Sequence, residues 1–94
     1  MNKEQLLTEI NNYDLSFVEA KFIMEYPELE SESGQLLTEL KKWLYLCFLH
    51  PEKTYSMCGN VDKIWHTFIL FTYEYRQFCY SYGEFIHHVP DMPT

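Results

Sequence analysis

The side chains best suited to metal binding lie in two short stretches of this 94-residue chain. Asp62 and His66 are four residues apart, and His87 and His88 follow about twenty residues later. On a helix, side chains four residues apart project from the same face, about 6 Å from each other. Neutral imidazole combined with carboxylate or thiolate suits zinc best among the common metals. The two stretches therefore predict a zinc site around His66, provided that the chain folds back on itself.

Cys58 is the thiol best placed to join such a site, because it lies in a predicted loop just before Asp62. Two arrangements are open. In the first, one of the tail histidines reaches His66, within one chain or from a second subunit. In the second, Cys58, Asp62 and His66 form one site, and the tail histidines form a separate cluster near Cys79. A competing interpretation has no metal: Asp62 orients His66 by a hydrogen bond, and the tail histidines only pack.

Apolar residues at helical spacing predict the elements that must position these side chains. Four helices are expected: residues 3–11, 15–26, a third from Ser33 to near His50, and a fourth from about 60 to 82. The acidic stretch from Glu28 to Gly34 is expected to be a loop, and the tail after Gly83 to be irregular. The predicted fold class is all-α, a compact bundle of about four helices forming one domain over residues 1–94.

The third and fourth helices carry broad apolar stripes, Leu36–Phe48 and Val61–Cys79, which we expect to pack against each other. A fourth helix of this length spans about 30 Å. The residues between Gly83 and the tail histidines reach only about 14 Å when extended. On this prediction the tail meets the last turns of the helix more easily than it meets His66.

Charge is concentrated in the first part of the chain. The net charge is −7, and residues 1–40 hold nine acidic side chains against two lysines. This balance disfavours direct binding of DNA or RNA, which requires clustered lysine and arginine. Glu28, Glu30 and Glu32 are expected either to be solvated or to contact a basic partner protein.

The sequence favours a cytoplasmic protein without a membrane segment. No apolar run approaches the roughly 20 residues that span a bilayer, and the first residues lack the apolar region of a signal peptide. The three cysteines, Cys47, Cys58 and Cys79, form no closely spaced pair, so we expect reduced thiols rather than a disulfide framework.

The fourth predicted helix is unusually rich in aromatic residues. Its tyrosines and phenylalanines exceed what one short bundle needs to cover. We therefore expect Tyr73 and Tyr80 to contact another protein or a second copy of the chain, as in a homodimer.

An ordered set of uncommon residue types runs from Val61 to Pro90: Val61-Asp62-x-x-Trp65-His66, Ile69-Leu70-x-Thr72-x-x-Tyr75, Phe78-Cys79, Gly83 and His87-His88-x-Pro90. This order resembles the glycine-rich domain-containing protein-like family, and the resemblance extends over about residues 15–90. It implies a domain of unknown function whose Trp-His and His-His patterns are compatible with a metal site. Some members have a second histidine where this chain has Phe68, and this chain has no glycine-rich segment.

The chain contains no serine nucleophile motif, glycine-rich phosphate loop or paired-cysteine zinc pattern. We therefore expect a small binding or regulatory module with a zinc site, acting through protein contacts. The alternatives are a metal-dependent enzyme in which Asp62, His66 and a tail histidine leave one metal position open to water, a pure interaction protein with structural histidines, and an acidic inhibitor that occupies a partner's basic nucleic-acid-binding surface.

Overall fold

The computed structural model describes residues 1–88. Within that range the elements are α1 (Lys3–Asn12), α2 (Ser16–Glu25), a 3₁₀ helix (Pro27–Glu32), α3 (Ser33–Leu49), α4 (Gly59–Leu70) and α5 (Thr72–Tyr82). No strand occurs in the described residues, and the segment 83–88 is irregular. The predicted all-α class with an irregular tail is confirmed. Pro90 and the other residues after His88 lie outside the described part.

Polar side chains accept backbone hydrogen bonds at the start of the first two helices. The Asn2 side chain accepts a hydrogen bond from the Gln5 amide at 2.8 Å, and the Gln5 side chain accepts one from the Asn2 amide at 3.0 Å. This reciprocal pair satisfies two amides that have no partner within the helix. Asp14 Oδ1 accepts a hydrogen bond from the Ser16 amide at 2.9 Å.

The acidic stretch predicted as a loop is instead mostly a 3₁₀ helix. Pro27 opens it, and the fixed φ of proline suits a first helical position. Ser33 is the first residue of α3, where its hydroxyl donates to Glu19 Oε2 at 2.7 Å and lies 2.9 Å from the Glu30 carbonyl oxygen. Through these two contacts Ser33 joins the 3₁₀ helix to α2 and α3.

The core lies where α2, α3, α4 and α5 meet. The expected packing of α3 on α4 is present, and α2 packs on both. All five α-helices contribute core side chains that are almost entirely removed from solvent: Ile10, Leu15 at the start of α2, Val18, Phe22, Leu40, Leu44, Ile64, Phe68, Tyr75, Phe78 and Cys79. Each predicted apolar stripe therefore supplies part of one shared core.

The prediction of a single helix from 60 to 82 is wrong, because the helix is interrupted at Phe71 and continues as a separate helix, α5. Phe71 has φ −82° and ψ 69°, outside the helical region, and its amide donates to the Phe68 carbonyl at 3.0 Å. The Phe71 ring packs edge-on against Phe17 of α2 at 4.9 Å between ring centroids. A tertiary contact thus accompanies the break, at a position with no proline or glycine to signal it.

The break folds α5 back on α4. The rings of Tyr75 and Phe78 lie 4.9 and 5.3 Å from the ring of Phe68. In one continuous helix these residues would be displaced along the axis by about 10 and 15 Å, respectively. Gly83 ends α5 as predicted, with its amide donating to the Cys79 carbonyl at 2.9 Å. The tail consequently begins much closer to α4 than an unbroken helix would allow.

Candidate functional site

The buried Tyr75 hydroxyl ties three parts of the chain together. The Trp65 indole N–H of α4 donates to it at 3.1 Å, and the hydroxyl donates to the Ile86 carbonyl of the tail at 2.5 Å. The Tyr75 residue is only 1% exposed, and this burial raises the pKa of its phenol, so the hydroxyl keeps its proton. The tail is thereby held against α4, two residues before His88.

His88 is the tail histidine that reaches the predicted site. Its Nε2 lies 3.2 Å from Asp62 Oδ1. Its ring packs on Trp65 with 4.6 Å between ring centroids, and the His66 ring lies 5.9 Å away. One chain therefore brings Asp62, His66 and His88 together without a second subunit. We expected the tail to reach the last turns of the fourth helix more easily than it reaches His66. This expectation is wrong, because the break at Phe71 folds α5 back and brings the tail close to α4.

The other two predicted metal ligands are both exposed. Cys58 is exposed at the N-terminus of α4, and His87 is exposed with its ring packed on Phe85 at 4.7 Å. Cys79 is buried in the core. Within residues 1–88, no group of three or more His, Cys, Asp or Glu side chains is arranged to hold a metal ion. The described cluster is thus an Asp62–His88 pair with His66 beside it.

A groove of about 840 Å³ opens next to the Asp62–His88 pair. The indoles of Trp43 in α3 and Trp65 in α4 line it, with 4.5 Å between their ring centroids. The Trp43 N–H donates to the Ser56 carbonyl at 3.2 Å, which ties the segment between α3 and α4 to the groove. Further apolar lining comes from Cys47, Phe48, Met57, Phe85 and Ile86.

Polar side chains also line the groove. They are Lys53, Cys58, Asp62, Glu84, His87 and His88, among others. Burial raises the pKa of the Cys47 thiol to about 11, and the nearby Cys79 adds to the effect. Cys47 therefore stays a neutral, apolar part of the wall at neutral pH. The groove combines an aromatic interior with a few charged groups, which is the usual character of a ligand site.

Sequence reasoning missed the roles of Trp43 and Tyr75. Both fall within apolar helical stripes, where an aromatic residue is expected simply to fill the core. The available signal was their polar atoms, because a buried indole N–H or phenol hydroxyl needs a hydrogen-bond partner. That signal predicts a partner without identifying it.

The residues predicted to contact a partner protein are accessible. Tyr73 and Tyr80 of α5 are 70% and 60% exposed. The three glutamates Glu28, Glu30 and Glu32 are exposed on the 3₁₀ helix. Their role in binding stays a prediction. Among the helices described here, none has both the length and the apolar character needed to cross a membrane.

Comparison with known proteins gives one match. The UCP032817-like family, which is uncharacterised, matches residues 4–93, nearly the whole chain. This match supports a domain family of unknown function but does not support the glycine-rich domain-containing name. No curated protein and no solved structure matches significantly.

Proposed function

The chain belongs to the UCP032817-like family, and we propose that it is a small binding module whose ligand site is the groove lined by Trp43 and Trp65. The observation that carries this proposal is the groove itself, about 840 Å³ with the Asp62–His88 pair at its edge. Ligand sites commonly measure about 300–1,000 Å³ and combine apolar walls with a few oriented polar groups.

The lining indicates the chemistry of the ligand. Two indoles and several apolar side chains favour an aromatic or aliphatic group. The carboxylates of Asp62 and Glu84 outnumber the one lysine, Lys53, so a hydrogen-bond donor or positive charge on the ligand is favoured. Either a small molecule or an apolar segment of a partner protein could supply these groups.

Tryptophan fluorescence provides a direct test, because Trp43 and Trp65 are the only tryptophans in the sequence. The neutral probe N-phenyl-1-naphthylamine should quench their emission and saturate at one probe per chain. Trp43→Ala should weaken binding of the probe about five- to tenfold, because an aromatic contact is lost. The affinity of this variant is measured from the fluorescence emission of the probe. Leu46→Ala, on the same helix and outside the groove lining, should leave affinity unchanged.

Two results would contradict the proposal: a probe titration that does not saturate, or equal losses of affinity in Trp43→Ala and Leu46→Ala. Competition then distinguishes the source of the natural ligand. A low-molecular-mass extract that displaces the probe supports a small molecule, whereas displacement only by the protein fraction supports a partner segment.

A second candidate function is zinc binding by Asp62, His66 and His88. Two ligand atoms about 2.0–2.1 Å from a tetrahedral zinc ion stand about 3.3 Å apart. The observed separation of His88 Nε2 and Asp62 Oδ1 is 3.2 Å, and the His66 ring is nearby. The His66 side chain would have to move to complete three ligands, and Cys58 and His87 are the remaining predicted candidates.

Metal analysis and thermal unfolding test the zinc site. Added zinc should raise the melting temperature relative to EDTA, because a ligand that binds only the folded state stabilises it. His88→Ala should abolish this increase. His50→Ala is the matched control, because His50 lies beside Glu52 at 3.6 Å and outside the cluster. Identical melting curves with zinc and EDTA, and no metal in the purified protein, would mean that Asp62 and His88 only orient each other.

A further inference from the structure

A second cavity, of about 450 Å³, lies where the junction of α1 and α2 faces α5. We call it the notch. It is lined by Tyr13, Asp14, Phe17, Tyr73, Glu74 and Gln77. Three of these residues are aromatic and two are acidic, whereas none is lysine or arginine. The notch therefore differs in chemistry from the groove and shares no lining residue with it.

Packing holds two of the aromatic walls in place. The Tyr13 ring meets Phe78 edge-on at 4.9 Å, and the Phe17 ring meets Phe71 edge-on at 4.9 Å. These contacts anchor the notch to the buried Phe78 and to the break between α4 and α5. A site formed by packed rings is largely shaped before a ligand arrives, which lowers the entropic cost of binding.

The charges of the notch are not neutralised from within. Asp14 accepts the Ser16 amide hydrogen bond, and this bond lowers the pKa of its carboxyl, so Asp14 stays ionised at neutral pH. The positive charge of Lys41 also lowers the pKa of Asp14. The Lys41 ammonium group, however, donates its hydrogen bonds to the backbone carbonyls of Asn11 and Tyr13, at 3.0 and 2.8 Å. Two carboxylates beside aromatic faces are thus available to an added cation.

We propose that the notch binds the guanidinium group of an arginine side chain on a partner protein. A guanidinium is planar, stacks on aromatic rings and presents paired N–H groups to a carboxylate. Tyr73 and Glu74 are exposed next to each other at the start of α5, where they supply one ring and one carboxylate. The net charge of −7 would also increase the rate of encounter with a basic partner.

The test uses the full chain, labelled with ¹⁵N, and the capped tripeptide acetyl-Gly-Arg-Gly-amide. The matched probe replaces arginine with citrulline, which keeps the shape but removes the charge. The arginine peptide should shift the amide signals of Tyr73, Glu74 and Gln77 in a saturable manner. The citrulline peptide should bind at least several-fold more weakly.

Two substitutions separate charge from ring contact. Glu74→Gln should weaken arginine binding about tenfold, through loss of a charge-assisted hydrogen bond. Tyr73→Ala should weaken it about threefold, through loss of a cation–π contact at an exposed site. Both residues are exposed, so the fold should survive.

The control variants are Glu39→Gln, which removes the same charge from an exposed position of α3 outside both cavities, and Tyr80→Ala, which removes another exposed ring of α5. Neither should change arginine binding. The proposal is overturned if the arginine peptide does not bind, if citrulline binds equally well, or if Glu39→Gln matches Glu74→Gln. Binding of the naphthyl probe in the groove is independent of these results.

Discussion

At the scale of single residues, the Tyr75 hydroxyl does most to position the candidate site. It accepts from Trp65 and donates to the Ile86 carbonyl, so one oxygen atom links α4, α5 and the tail. Trp65 in turn supports the His88 ring. Loss of this oxygen would remove the partner of the buried Trp65 indole N–H and of the partly buried Ile86 carbonyl, an outcome more costly than loss of an exposed hydrogen bond.

Tyr75→Phe should therefore destabilise the protein by about 1–3 kcal/mol. Urea unfolding followed by circular dichroism measures the change in free energy. Tyr73→Phe removes the same atom from a ring that is 70% exposed and should leave stability unchanged within error. Equal effects of the two substitutions would show that the Tyr75 hydroxyl does not hold the tail.

At the scale of elements, the start of α4 sets the position of Asp62 and His66. Gly59 is the first residue of this helix and has φ +67°, a conformation that strains residues with a Cβ atom. A Cβ atom at this position would have no neighbouring atom within 4 Å. The need for glycine at this position is thus conformational rather than steric.

Substituting alanine at two glycines should change stability in opposite directions. Gly59→Ala should cost about 1–2 kcal/mol through backbone strain. Gly34→Ala, inside α3, should stabilise by about 0.4–1 kcal/mol because it restricts the unfolded chain. The added methyl group there meets only Glu19 Oε2, at an ordinary 3.8 Å. Denaturant midpoints that move in the same direction would contradict this assignment.

At the scale of the whole molecule, buried ionisable groups predict lower stability in alkaline solution. Burial raises the pKa of Cys47 from 9.0 to about 11, and also raises the pKa of Cys79 and Tyr75. In the unfolded chain the two thiols lose their protons above about pH 9.0 and the phenol above about pH 10.0, while the folded chain retains them. Because the unfolded state then binds fewer protons, the free energy of unfolding falls as pH rises.

The urea midpoint should consequently be lower at pH 10 than at pH 8. Cys47→Ala should reduce this difference, since one of the responsible groups is removed. Cys58→Ala is the control, because Cys58 is exposed, and it should show the pH dependence of the unsubstituted protein. If the urea midpoint does not change between pH 8 and pH 10, the raised pKa values of these buried groups do not control stability.

The exposed side chains near the break and on α5 predict self-association or a protein partner. Leu70, Tyr73 and Tyr80 are 55%, 70% and 60% exposed, and burying such surface is favourable. Light scattering at micromolar concentration should detect a mass of about twice 11.4 kDa if a homodimer forms. A mass of only 11.4 kDa would exclude the homodimer and leave a different partner.

Local patterns were sufficient to predict most helices and their core faces. The period of Leu36, Leu40 and Leu44 identifies the buried side of α3, and Asp14 and Gly83 mark helix boundaries. These signals are readable because helix formation and capping involve residues only a few positions apart. Asp62 and His66 could be placed on one helix face for the same reason.

Only the tertiary structure decided which tail histidine joins them. Phe71 carries no local signal for a break, and its contact with Phe17 spans 54 positions of sequence, the difference between the two residue numbers. The tail is placed by the Tyr75 hydroxyl and by packing of His88 on Trp65. Contacts between residues distant in sequence leave no periodic pattern in the sequence. The position of His88 beside Asp62, and the groove next to it, therefore depend on how the helices pack.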